Sequence, residues 1–265
     1  AGFGAALEEF KTSILHRKID SLLEKNPNIQ LITGIQSYSV YKTERPPTLT
    51  ANFIRDGVWV DFYNSALKME HQENPEFYHK SKLVVGVENM PYKSFFRPIL
   101  GEFLLDLGGT VSSRAIQQSR SVFEHKKINL KVGPVICYES IYGEFLTEYV
   151  RKGAHFLAII TNDAWWGDTP GHKQLLSYAR LRAIENRRDI VRSANTGISA
   201  IINAKGEIVK KLPYESKGVL RGKFSPAERI TFYTKYGDYI ARWSGFIAIL
   251  FFLIAVSGRL KKNSG

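Results

Sequence analysis

The single cysteine of the 265-residue chain, Cys137, lies in VGPVICYES, at the end of an apolar run and directly before Tyr138 and Glu139. A thiol attacks an acyl carbon as the thiolate, so it needs a nearby cation, a base or a helix N-terminus. Two further apolar runs end in polar side chains that a core does not require. YHKSKL carries Lys80 and Lys82, and TNDAWWG carries Asn162, Asp163, Trp165 and Trp166. Convergence of the three ends would make one pocket, with Cys137 as nucleophile and the Tyr138 N–H and a lysine ammonium facing an oxyanion.

Each of these residues also has an ordinary explanation. Free cysteines are among the most buried residues, and a lysine after a strand is usually solvated. Glu139 suits a helix start, where the dipole favours a carboxylate. Asp163 can cap a turn, and paired tryptophans can simply pack. The six histidines lack metal-ligand spacing, so no metal is expected. His79 and His172 carry no signature of a papain-like Cys–His pair.

The elements that would position these groups alternate. Leu7, Phe10, Ile14, Ile19, Leu22 and Leu23 fall close to helical spacing, predicting an amphipathic helix over 7–25 that ends at Asn26-Pro27-Asn28. Ile29–Ile35 reads as a strand, and TANFIRDGVWVDFYNS as two strands about Arg55-Asp56-Gly57. KINLKVGPVICYE, HFLAIITND, DIVRSAN and GISAIINAKGEIVKKL each carry a β-run, the last a hairpin at Lys205-Gly206. Helices are predicted over 141–152, stopped by Gly153, and over 173–188. The order predicts an α/β layered fold with functional groups at the C-terminal ends of strands.

The chain carries 37 Lys+Arg against 25 Asp+Glu, a net charge of +12, and 44% of its residues are hydrophobic. That excludes disorder. The basic residues are scattered and form no stripe interleaved with aromatics, so no nucleic-acid partner is expected. From Trp243 to Gly258 the chain has no charge and is mostly Ile, Leu, Phe, Val and Ala. With Tyr239, Arg242 and Leu260 at the interfaces this predicts a transmembrane helix over 239–258. The Arg259, Lys261 and Lys262 that follow place a basic tail, 259–265, in the cytoplasm and residues 1–232 on the other side. A buried core helix is the alternative. The start, AGFGAALEEF, has neither an initiator methionine nor a signal-peptide pattern, and an upstream membrane segment is expected.

YHKSKLVVGVENMP, VICYES, TNDAWWGDTPGHKQ and ARLRAIENRRDIVRSANTGISAIINAKGEIV resemble, in order and spacing, the carbon–nitrogen hydrolase (nitrilase-like) superfamily and, within it, the bacterial apolipoprotein N-acyltransferase family. The resemblance covers roughly 29–209 and the C-terminal anchor. It implies a four-layer α-β-β-α sandwich and a Glu-Lys-Cys triad without cofactor. By the same resemblance Cys137 is the nucleophile and Lys80 the triad lysine, Glu88 and Glu139 are supporting carboxylates, and Trp165 leads a lid-like loop with Trp166. The activity implied is ping-pong. Cys137 takes an acyl chain from a membrane phospholipid as a thioester, and the N-terminal amine of a diacylglyceryl-cysteine lipoprotein then takes it from Cys137. The enzyme is implied to be a monomer in the bacterial inner membrane with its catalytic domain facing the periplasm. The sequence departs from the pattern in two places. The proline–glutamate element that supplies the family's base is absent, Glu8 and Glu9 do not replace it, and the base is expected upstream of Ala1, leaving this chain inactive alone. Val85 and Val87 stand where the family has Pro and Phe. An anchored amidase or nitrilase, and a module that binds lipoprotein without catalysis, are the alternatives.

Overall fold

The computed structural model describes residues 4–84, 88 and 113–263, except the side chains of Trp165 and of 258–263. Val85 and Val87, the two departures in VVGVENMP, lie outside the described residues. Helix α1 spans Ile14–Glu24 and begins later than the spacing predicts. Leu7 sits in a turn, Phe10–Thr12 form a 3-10 turn, and Ser13 caps α1 by accepting from the His16 N–H.

The first sheet contains β1 (Ala5–Ala6), β2 (Leu31–Lys42), β3 (Asn52–Arg55), β4 (Val58–Met69) and β5 (Glu76–His79). Its order is β1-β2-β4-β3, with β5 also on β4. The Asp56-Gly57 turn joins β3 to β4 as predicted, with Gly57 at φ +68°. The second sheet has the order β11-β10-β9-β8-β7-β6. Three parallel strands form its centre: β7 (Leu130–Ile136), β8 (Phe156–Thr161) and β9 (Ile190–Ala194). The antiparallel strands are β6 (Phe123–His125), β10 (Ser199–Ile202) and β11 (Ile208–Leu212).

Helix α1 and Phe10 cover the outer face of the first sheet, where Phe10, Leu23, Leu67 and Met69 are buried together. Helices α2 (Gly143–Arg151) and α3 (Pro170–Asn186) cover the second sheet. Phe145, Leu146, Tyr149 and Val150, the face read from the sequence, pack there with Val135, Leu157 and Ile159. The layers are therefore α-β-β-α. Buried Lys68 on β4 joins the two sheets. It binds Glu70 at 2.9 Å and Glu76 at 2.7 Å, and donates to the Glu124 carbonyl on β6 at 2.6 Å.

Helix α4 (Phe232–Tyr236) is held against the body by Arg151, which donates to the Thr234 carbonyl at 3.0 Å, and by the Thr234 hydroxyl, which donates to Asn186 at 3.1 Å. From it runs α5 (Tyr239–Asn263). Its stretch Tyr239–Ser257 is long and apolar enough to cross a membrane, and none of it is buried against the protein. Arg242, at the base of α5, pairs with Glu144 of α2 at 2.6 Å.

Candidate active site

Cys137 directly follows β7 with the backbone in the left-handed region, φ +50°, and opens a 3-10 turn over Cys137–Ile141. For a residue with a side chain that conformation costs about 1–3 kcal/mol and needs support from its surroundings. Part of the support is local, because the Ser140 hydroxyl donates to the Cys137 carbonyl at 2.8 Å. The helix expected to follow the cysteine directly begins only at Gly143, so the 3-10 turn, not α2, sits at the nucleophile. Tyr138 lies in its first turn, where N–H groups have no acceptor within the turn.

Glu139 is a helix-start carboxylate, in the first turn of the 3-10 segment, and has partners beyond it. It is fully buried and accepts from the Ile136 N–H at 2.7 Å, the Ser81 N–H at 2.6 Å and the Tyr78 hydroxyl at 2.8 Å. One carboxylate thereby ties the end of β7, next to Cys137, to the residues on either side of Lys80. Burial pushes Glu139 up to about 7, against the three donated hydrogen bonds and the Lys80 charge.

Lys80 is 2% exposed, and its ammonium meets Glu88 at 2.6 Å. Glu88 also accepts from the Val84 N–H at 2.8 Å and from the Asn64 amide. Both Glu88 oxygens are committed, and the pairing holds the Lys80 side chain in place. Lys80, Glu88, Cys137, Tyr138 and Trp166 line one cavity of about 1150 Å³. The three ends converge as the sequence predicts. Among the described residues Glu88 is the only carboxylate on that wall and no histidine lines it. Glu8 and Glu9 are exposed. His79 is stacked on Tyr63 with ring centroids 4.2 Å apart, and burial pulls it down to about 4. His172 is stacked on Tyr214.

Asp163 is not the turn cap; Asn162 takes that place by accepting from the Ala164 N–H at 3.3 Å. Asp163 is fully buried, 2.7 Å from the Arg192 guanidinium on β9, and accepts from the Thr161 hydroxyl at 2.6 Å. A Cβ at Gly197 would collide with its carboxylate. The pair locks the tryptophan turn to the loop between β9 and β10. Trp166 is 39% exposed at the cavity and packs over Gly171; the Trp165 side chain lies outside the described residues.

Residues 44–231 match the carbon–nitrogen hydrolase family. The chain belongs to that family. Its fold is also that of the nitrilase superfamily: a solved Saccharomyces cerevisiae member of branch 10 superposes with a TM-score of 0.50 at 17% identity, over 76% of this chain and 61% of that one. Among the relatives it matches, the apolipoprotein N-acyltransferase of Chlorobaculum tepidum is 34% identical over 182 residues, 67% of this chain and 34% of the relative. That of Vibrio parahaemolyticus is 28% identical over 247 residues, 89% of this chain and 44% of the relative. The chain thus spans about a third to less than half the length of these relatives.

Replacing Glu139 with Gln puts an NH₂ against one of three buried donors, which costs about 1–3 kcal/mol. The deficit should depend on pH. An unfolded glutamate ionises near 4.5, while the folded one keeps its proton to about 7. The wild-type protein therefore loses stability from this group as pH rises through that window. Glu139→Gln lacks this loss, so its deficit should be largest at pH 4.5 and shrink toward pH 7. Chemical unfolding of both proteins across that range checks it; a deficit that grows with pH contradicts it.

Proposed function

We propose that this chain carries the acyl-transfer machinery of an apolipoprotein N-acyltransferase. The supporting observation is the convergence of Cys137 and Lys80 on one cavity in a family member whose similar relatives bear that name. Residues 1–232 are then the catalytic domain, 239–258 the transmembrane helix and 259–265 a basic cytoplasmic tail.

In the first half-reaction the Cys137 thiolate attacks the ester carbonyl of a phospholipid. Negative charge builds on the carbonyl oxygen, and the Lys80 ammonium and the Tyr138 N–H are its donors. Collapse expels the glycerol alkoxide, which takes up the equivalent of the proton that the Cys137 thiol gave up and leaves as a lysophospholipid, and Cys137 holds the chain as a thioester. In the second half-reaction the N-terminal amine of a diacylglyceryl lipoprotein attacks that thioester, loses a proton and releases the thiolate. Glu88 keeps Lys80 in position throughout. Glu139 holds the two strand ends in register, so that donor and nucleophile meet the same carbonyl.

Both lipids carry acyl chains, and exposing each buried CH₂ to water costs about 0.8 kcal/mol. A site fixed at a bilayer avoids extracting them. The Arg242–Glu144 pair and α4 tie α5 to α2, which begins six residues after Cys137, so the helix fixes where the cavity stands relative to the membrane. The catalytic side is the periplasmic face of a bacterial inner membrane.

The test is made on the complete protein in phospholipid vesicles with a diacylglyceryl-cysteine peptide. The expected product is a peptide heavier by one amide-linked acyl chain, absent with Cys137→Ala. Free fatty acid with an unchanged peptide would instead mean that water is the acceptor and that the chain is an anchored hydrolase.

A further inference from the structure

The cavity holds a cation that the acyl-transfer chemistry does not use. Its described charged lining is Lys80, Glu88, Arg114 and Lys217. Lys80 and Glu88 neutralise each other at 2.6 Å, so the wall keeps two positive charges in excess. Lys217 is exposed. Arg114 is partly buried, and its Nε is buried without a hydrogen-bond partner. Among the described residues no carboxylate forms an ion pair with Arg114. Glu88 attracts Arg114 through space, but its oxygens are bound by Lys80, Val84 and Asn64, so the partly desolvated guanidinium has no anion of its own, which is costly. A site that keeps one in this state, at the wall of an open cavity, is arranged for an anion that arrives from outside.

The backbone beneath Arg114 is held in place. The Asn52 amide donates to the Ser113 carbonyl and Asn52 Oδ1 accepts from the Ser113 N–H, both at 2.9 Å. The Ala115 N–H donates to the Phe62 carbonyl at 2.9 Å, and Arg114 bridges to Phe62, two residues before Asn64. Asn64 lines the cavity and binds Glu88, so Arg114 and the Lys80–Glu88 pair hang from the same strand. The lining also has apolar side chains, Ile136, Ile160, Leu175 and Leu212 among them. Apolar lining together with an unpaired guanidinium on a held backbone fits an amphiphile with an acyl chain and a singly charged anionic group.

We propose that Arg114 binds the phosphodiester of the acyl-donor lipid, with Lys217 adding its charge at the rim, and so makes the site selective for phospholipids over neutral acyl esters. A guanidinium presents two parallel N–H groups to two phosphate oxygens. This would hold the headgroup at one end of the cavity while the ester reaches Cys137. The inference rests on the acyltransferase reading for the identity of the lipid, but its test does not depend on turnover.

The complete protein carrying Cys137→Ala, which cannot form a thioester, is titrated with dioctanoylphosphatidylglycerol and, separately, with dioctanoylglycerol, which has the same chains and no phosphate. The first should bind more tightly. Arg114→Gln should weaken it by about 10–100-fold, the range for losing a charge-assisted hydrogen bond, and leave dioctanoylglycerol within about twofold. Arg114→Lys should fall between. Retained binding of the neutral lipid shows that the variant is folded. Equal weakening of both lipids would make Arg114 structural, and no change in either, or equal binding before substitution, would remove the phosphate site; each overturns the proposal. Absence of a thioester on Cys137 in the unsubstituted protein would sink the acyltransferase reading while leaving this binding result standing.

Discussion

Lys80→Met is expected to slow acylation of Cys137 by about 10²–10³-fold, the loss that follows removal of one oxyanion donor. Methionine keeps most of the volume of the buried stem, so the cavity wall stays filled. The ammonium 2.6 Å from Glu88 is what disappears. The substitution also strands Glu88, which still accepts from Asn64 and Val84 but has lost its cation. Two effects are therefore mixed, and a second change separates them. Adding Glu88→Gln removes the stranded charge and should restore stability without restoring rate. Single-turnover acylation followed by intact mass, beside chemical unfolding of the two variants, reads both. Recovery of the rate in the double variant would show that Lys80 acts only by neutralising Glu88.

The largest stability loss is expected at Asp163→Ala. Its carboxylate and the Arg192 side chain are 0% and 1% exposed, so the substitution leaves a guanidinium in the core with no counter-charge. Breaking such a pair from one side costs about 3–5 kcal/mol, against a total of about 5–15 kcal/mol for a typical domain. Arg192 also donates to the Ile198 carbonyl, so the loop between β9 and β10 should loosen with it. Replacing both members, Asp163→Ala with Arg192→Met, removes the orphaned charge and should recover part of the loss. Unfolding midpoints of the two variants test this. A single variant as stable as the wild type would mean that the pair adds nothing to the fold.

The sequence placed the β3–β4 and β10–β11 hairpins well because their signals are local, but it ended β2 at Ile35 where the strand runs on to Lys42. Alternating and apolar runs bounded by Asp56-Gly57 and Lys205-Gly206 specify β3, β4, β10 and β11 without reference to the rest of the chain. The first helix was less legible, since apolar spacing continued N-terminally past Ser13, and only the cap chemistry marks where α1 begins. The convergence of Cys137, Lys80 and Trp166 could be anticipated because three strand ends finish in polar residues. What Glu139 and Asp163 do there could not. Each has a satisfactory local role, at a helix start or as a turn cap, while the partners that decide its real one lie elsewhere in the chain. Glu139 is bound by Tyr78 and Ser81, 61 and 58 residues away, and Asp163 by Arg192, 29 residues away. Arg114 carries no motif at all; it stands out only once the fold shows that other cations on the same wall are paired or solvated.

The central claim is that Cys137 holds the acyl chain between donor and acceptor. The most direct measurement is the intact mass of the complete protein after incubation with a phospholipid of defined chain length and no lipoprotein. The account predicts a gain of one fatty acid less water, mapped to the Cys137 peptide, cleaved by neutral hydroxylamine and discharged by a diacylglyceryl-cysteine peptide. An unmodified Cys137 under conditions in which that peptide still becomes acylated would contradict it.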